Sequence, residues 1–156
     1  LKETLKEINS YNITKAASLI KSSNHIELFG VGASLPSSID IARKLTFTGK
    51  LASARSDWDE LRVVANHLNK DDLAILISHS GETLHLIEYA TILKRSEVPF
   101  ILLVGTSDSY IESLATLTLY GYSESVYYGD IDMSSRFTIY LLMDLVLFNY
   151  LDSFKD

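Results

Sequence analysis

Apolar residues along this chain fall into two rhythms. Leu73 to Ile77 and Phe100 to Val104 are short unbroken apolar runs, the pattern of strands buried on both faces. Between such runs, apolar positions recur every three or four residues, the spacing that gathers them on one side of a helix. Trp58 to Leu68 shows this plainly, with Leu61, Val64, Ala65 and Leu68 on one face. Read in order, the chain predicts a helical stretch over Leu1 to Ser22, broken near Tyr11-Asn12, and a first strand at Ile26 to Phe29. A helix over Pro36 to Thr48 follows, closed by Gly49, then a weaker second strand at Leu51 to Ala54 and the helix at Trp58 to Leu68. Strand Leu73 to Ile77, helix Glu82 to Arg95 and strand Phe100 to Val104 come next. A short helix around Ser109 to Leu114, a last strand near Thr116 to Tyr120, a loop, and a helix from about Ser135 to Asp152 complete the chain. No internal repeat, low-complexity tract or linker interrupts it.

Strands alternating with helices imply an α/β fold, a parallel sheet covered on both faces in a three-layer αβα sandwich. With strand order 2-1-3-4-5, the topological switch point falls between strands one and three, and the crevice at the carboxyl edge there is where ligands of such sheets bind.

Two turns follow those same two strands. The first to consider is Ser78-His79-Ser80-Gly81-Glu82-Thr83, between the apolar run at 73–77 and a helical pattern. Helix N-termini present unpaired N–H groups and the positive end of the helix dipole, so they favour anions. The hydroxyls of Ser78, Ser80 and Thr83 can each donate to a phosphate oxygen, and Gly81 lets the backbone come close. No lysine accompanies them, so the expected ligand is a small phosphorylated metabolite rather than a nucleotide triphosphate. Taken alone, Ser80 and Thr83 fit helix capping equally well. The second turn, Gly30-Val31-Gly32-Ala33-Ser34, opens a helix with Pro36 near its first turn. A dinucleotide fingerprint would need glycine at position 35, where Leu35 stands, which argues against a nicotinamide or flavin site. The glycines instead suit a smaller ligand, with Ser34 hydrogen-bonding it. Side by side at one switch point, the two weak motifs become one stronger constellation.

Composition narrows the rest. At 156 residues the chain is one domain with room for a full core. A net charge of −6, with 14 basic residues scattered among 20 acidic ones, gives no stripe for nucleic acid. The most apolar segment, Phe137 to Leu151, is too short to span a membrane and carries Asp144 and Asn149. There is no signal peptide and no cysteine, so nothing points to secretion, a cytoplasmic location is expected, and the sequon Asn12-Ile13-Thr14 is a chance match. A chain that starts at Leu1 rather than methionine reads as a piece of something longer.

The paired turns resemble the sugar isomerase (SIS) domain, whose fold is a five-stranded parallel sheet of that order, flavodoxin-like in arrangement. The resemblance covers nearly the whole chain and extends to Ser113-Leu114-Ala115. Within that superfamily the chain looks most like the effector domain of RpiR-type transcription regulators, through Ser134-Ser135-Arg136 and Asp144 in an apolar last helix. The resemblance implies that Ser78, Ser80 and Thr83, with the backbone around His79 and Gly81, hold a sugar phosphate. It implies that Ser34 contacts the sugar, that Gly32 allows close approach, and that Ser134 or Ser135 closes the pocket. It further implies contact with DNA only through a helix-turn-helix domain absent from this chain; the last helix, apolar nearly all round, fits a homodimer interface or a fully internal helix, and a homodimer is expected. Residues 1–22 would then be the end of the interdomain linker, packed on a sugar-phosphate domain spanning 23–156.

Aldose–ketose isomerisation needs a base to move a proton between neighbouring carbons and usually an acid to open the ring. SIS isomerases, which resemble this chain in the phosphate turn, add a glutamate and a histidine. Here His25 precedes a strand, His67 lies late in a helix, and His85 sits on a helix surface. A bound phosphate would raise the pKa of His79 and make it an anion contact rather than a base. Glu82 is explained by the dipole of the helix it would begin, and Asp57, Asp59 and Glu60 by a solvated helix start. No catalytic residue, cofactor or metal is expected. Asp144, in a helix apolar nearly all round, is expected to be structural, with Arg136 or a backbone N–H as partner. The reading is a sugar-phosphate sensor; the alternatives are a sugar-phosphate isomerase and a ligand-free dimerisation module.

Overall fold

The computed structural model of the chain describes residues 2–155. Two helices, α1 (Lys2–Glu7) and α2 (Ser10–Ser22), lead into strand β1 (His25–Phe29). A 3-10 turn at Gly32–Ser34 opens α3 (Leu35–Phe47), followed by β2 (Leu51–Ala54), α4 (Trp58–His67) and β3 (Leu73–Ser78). Then come α5 (Leu84–Arg95), β4 (Phe100–Val104), a 3-10 turn at Ile111–Leu114, and β5 (Leu117–Tyr120). A small hairpin of β6 (Tyr127–Tyr128) and β7 (Ile131–Asp132) precedes the last helix, α6 (Phe137–Asp152). The five main strands form one parallel sheet in the predicted order, β2-β1-β3-β4-β5.

Alternation along each strand divides the core between the sheet's faces. Ile26, Leu28, Leu73, Ile75, Ile77, Ile101 and Leu103 face α2, α3 and α6, and Ile13, Ala16, Ala17 and Ile20 of α2 are buried in that same cluster. Phe29, Ala74, Leu76, Phe100, Leu102 and Val104 face α4 and α5. No helix among the described residues is long and apolar enough to cross a membrane.

Several boundaries move for local reasons. The first helical stretch breaks at Ile8-Asn9 rather than Tyr11-Asn12, because the Asn9 side chain accepts the Tyr11 N–H at 2.9 Å and caps α2. Helix α5 starts at Leu84 rather than Glu82, after Gly81 has turned the chain at φ +68°. Helix α6 starts at Phe137, whose N–H is taken by the Ser135 hydroxyl at 3.1 Å. The β6–β7 hairpin lies in what reads as a loop; its signal is the Gly129-Asp130 turn between Tyr127-Tyr128 and Ile131-Asp132, with Gly129 at φ +66°. Asp144 does not bond Arg136. Lys44 reaches it from α3 at 3.0 Å and also bonds Asp40 at 3.1 Å, while Arg136 turns the other way. The carboxylate is exposed enough to need no buried partner.

One buried charge escapes any reading of periodicity. Glu27, in the middle of β1, is fully buried on the α4 side. Ser53 Oγ donates to it at 2.7 Å, His25 Nε2 lies at 3.4 Å, and Arg55 Nε, just past β2, at 3.6 Å. Arg55 also bonds Glu60 at 3.0 Å, so the cluster ties the edge strand to the start of α4, where Trp58 sits. Arg55→Ala strips a fully buried carboxylate of its counter-charge and is expected to cost roughly 1–3 kcal/mol in urea denaturation. Combining it with Glu27→Leu should recover part of that loss; additive losses would show that the pair is not the reason.

Candidate functional site

The carboxyl ends of β1 and β3 lie side by side because Phe29 pairs in register with Leu76. The turn after β3 is held by its own hydroxyls. Ser78 Oγ accepts the Gly81 N–H at 2.9 Å and shares a hydrogen with Thr83 Oγ1 at 3.0 Å. Ser80 Oγ accepts the Glu82 N–H at 3.0 Å. Gly81 is required twice over, by its left-handed φ and because a Cβ there would lie 2.2 Å from Ser109 Oγ. Thr83 precedes α5 without capping it through its side chain, which leaves its hydroxyl beside Ser78 at the positive end of a twelve-residue helix.

Glu82 does not serve that helix dipole. It is exposed, lies ahead of α5, and accepts the Tyr110 N–H at 2.8 Å, pinning the loop to the segment after β4. In the first turn Gly30 is packed against the protein itself, where a Cβ would stand 2.2 Å from Ser38 Oγ. Gly32 supplies a left-handed φ of +63° in open space. Ser34 is buried, its carbonyl accepting the Ser37 and Ser38 hydroxyls at 2.9 and 3.0 Å.

Both turns line one cavity of about 280 Å³. Of the residues expected from the sequence, Ser34, Ser78, His79, Ser80 and Thr83 border it, and Gly32 and Gly81 shape the turns that do so. Ser134 and Ser135 do not. The Ser134 hydroxyl is taken up by Val126, accepting its N–H at 2.9 Å, and exposed Ser135 accepts the Phe137 N–H ahead of α6. Their neighbour Arg136 enters the cavity instead, together with Trp58, Asp132 and Tyr127. Arg136 Nε donates to Ser34 Oγ at 3.2 Å, one terminal nitrogen to the Ser134 carbonyl at 2.8 Å, and the other to Asp132 at 2.9 Å. The available signal was an arginine at the start of an apolar helix opening beside the sheet's carboxyl edge, a place where a charge needs a reason.

Charge in the cavity is balanced and fixed. Burial alone would raise the pKa of Asp132, but bonds from Arg136 and Ser134 bring it down to about 2. Burial pushes the His79 imidazole below its ordinary pKa, Arg136 pushes the same way, and Asp132 opposes weakly. Its Nε2 lies 2.8 Å from Ser125 Oγ, and its Nδ1 is buried without a partner. His85 is half-buried and stacks on Trp58 with ring centroids 4.2 Å apart, completing an aromatic wall with Tyr89.

The sequence matches the family model described as "SIS domain" over residues 19–140. Among curated relatives, the HTH-type transcriptional regulator GlvR of Bacillus subtilis is 26% identical over 157 residues, covering all of this chain and 62% of its own length. The chain spans between about half and two thirds of the length of the curated relatives it matches. The Vibrio vulnificus NanR protein, solved in complex with ManNAc-6P, superposes with a TM-score of 0.91 at 25% identity, over 99% of this chain and 59% of NanR. The sugar isomerase domain of an RpiR transcription factor from Sphaerobacter thermophilus superposes at 0.87 with 19% identity, over 98% of this chain and 84% of that one. Chains proposed to be sugar-phosphate isomerases share the fold, with TM-scores between 0.66 and 0.74.

A histidine whose folded pKa lies below its unfolded value contributes full stability above about pH 6.5 and penalises the fold as pH drops through that value. Denaturant melts at about pH 7.5 and 5.5 are therefore expected to show a larger acid loss for the native chain than for His79→Gln. Equal losses would mean the imidazole is freely protonated in the fold.

Proposed function

The chain belongs to the SIS domain family, and from that premise we propose that it is the sugar-phosphate-binding effector domain of a transcriptional regulator. The observation that carries the reading is the convergence of Ser78, Ser80 and Thr83, at the N-terminus of α5, with Ser34 on a single cavity. A phosphate placed there would draw on the three hydroxyls and the helix dipole. Ser34 and Arg136 would meet the sugar from the opposite wall, a guanidinium adding a charge-assisted bond. The phosphosugar bound by NanR and the regulator status of GlvR support the same reading.

Contact with DNA would be made by a helix-turn-helix domain outside this chain, with the segment around α1 as the end of the connection to it. The regulator would work in the cytoplasm. A homodimer would form through the apolar face shared by α3 and α6, where Phe47, Phe148 and Leu151 are exposed around a cavity of about 340 Å³. Ligand binding would then act by shifting the population of DNA-binding arrangements.

We read the domain as a sensor rather than an isomerase because three carboxyl and imidazole groups at or near the cavity are engaged in other contacts. Glu82 holds the Tyr110 N–H, His85 is stacked on Trp58, and Asp132 is paired with Arg136. Ketose formation from an aldose phosphate, followed by NMR, would overturn that choice.

A thermal-shift panel of hexose, pentose, N-acetylhexosamine and sugar-acid phosphates, each beside its free sugar, tests the main reading. A ligand at about a hundred times its Kd should stabilise by roughly 2.7 kcal/mol, raising Tm by several degrees. Ser80→Ala and Arg136→Ala are each expected to weaken binding about tenfold or more; unchanged binding in Ser80→Ala would sink the cradle. Phe148→Glu is expected to turn a dimer into a monomer in sedimentation, without loss of phosphosugar binding.

A further inference from the structure

Resting on the phosphosugar reading above, we propose that His79 relays occupancy of the phosphate cradle to helix α1 through the loops after β4 and β5. His79 stands between Ser78 and Ser80, so a displacement of the cradle backbone carries its peptide and ring with it. Such re-aiming is built into the site. Ser78 Oγ is held by the Gly81 N–H and by Thr83 Oγ1, and a phosphate that recruits Thr83 and the loop amides takes those partners away.

From His79 two routes lead to one loop. Along the backbone, the Gly105 N–H donates to the His79 carbonyl at 3.0 Å, and the Ser123 N–H donates to the Gly105 carbonyl at 3.3 Å. Next to Ser123, the Tyr122 carbonyl accepts the hydroxyl of Thr4, a fully buried residue of α1, at 3.4 Å. Along the side chain, His79 Nε2 meets Ser125 Oγ at 2.8 Å. On its other side the ring faces the bare backbone of Gly105, where a Cβ would come within 2.3 Å of Nδ1. A shift of the imidazole must therefore be taken up by the β4 loop or by Ser125, and both are joined to the segment that Thr4 grips.

Helix α1 has room to respond. Its Lys2 and Glu3 flank a groove of about 590 Å³, whose other wall is Gly105, Thr106, Tyr122 and Ser123. Fully buried Thr4 carries the hydrogen bond from α1 to the wall of this groove, so a shift of that wall reaches the helix through it. The coupling is reciprocal, so loosening α1 must also change phosphate affinity.

The test is hydrogen exchange of the chain with and without saturating inorganic phosphate, and again with N-acetylmannosamine 6-phosphate, alongside calorimetric titration of each. Binding accompanied by altered exchange in 2–8 and 121–126 is the expected result. In Ser125→Ala and in Thr4→Val, the change at 2–8 should fall by half or more, while exchange in 78–84 still responds and Ser125→Ala keeps Kd within about threefold. Binding with changes confined to 78–84, or an undiminished response at 2–8 in both variants, overturns the relay and leaves the phosphosugar reading standing. Binding of neither probe, together with silence across the phosphosugar thermal-shift panel, overturns both.

Discussion

The site depends on the pairing of β1 with β3, two strands far apart in sequence that lie next to each other at the centre of the sheet. Parallel neighbours end at the same edge, and the register that sets Phe29 against Leu76 brings the Gly30 turn beside Ile77 and Ser78. Because the sheet order reverses at this pair, α3 and α5 leave on opposite faces and open a crevice between the turns. The apolar clusters on the two faces hold the strands in that register, since a slip by one residue would exchange Ile26 and Leu28 for Glu27 and Phe29. Packing of the core and placement of the hydroxyls are therefore one constraint.

Within the crevice, polar groups are satisfied mainly by each other. Ser78 and Thr83 share a hydrogen, Ser34 accepts from Arg136, and Arg136 is bracketed by Asp132 and the Ser134 carbonyl. Such a network has a low cost of waiting, because few donors are left unpaired, and its neutral bonds are exchanged easily for charge-assisted ones to an anion. Arg136 joins the two halves: through Ser34 it touches the first turn, and through Asp132 it holds the β6–β7 hairpin over the cavity.

Much of this was legible in the sequence because the strong signals are local. Buried strands announce themselves as apolar runs, and a glycine among hydroxyls between a strand and a helix needs a conformation few residues provide; the parallel sheet and the five lining residues of the two turns follow from that, while the strand order came with the resemblance to the SIS domain. What stayed hidden depends on tertiary partners. Glu27 sits unremarked inside the run Ile26 to Phe29, and its burial is explained only by Ser53 and Arg55, which meet it from β2 and just beyond. Arg136 and Ser134 exchange roles because the direction of a side chain at a helix start cannot be read from spacing. The opposite fate of Asp144 has the same origin: its partner, Lys44, lies a hundred residues earlier on α3. The hairpin at 127–132 is too short to build a periodic pattern, and only its Gly-Asp turn marks it.

The contact between His79 and Gly105 also bears on how this domain can vary. With a ring at position 79 packed on the bare backbone of position 105, the two sites are one steric unit although 26 residues separate them. Random change at either is punished singly: any side chain at 105 evicts the imidazole, and a small residue at 79 leaves a hole against the β4 loop. Descendants would depart from this pair together or not at all, through a compensated exchange that trades bulk from one strand end to the other. A substitution history written at these two positions would then separate chains that keep the imidazole beside the cradle from those that have given it up.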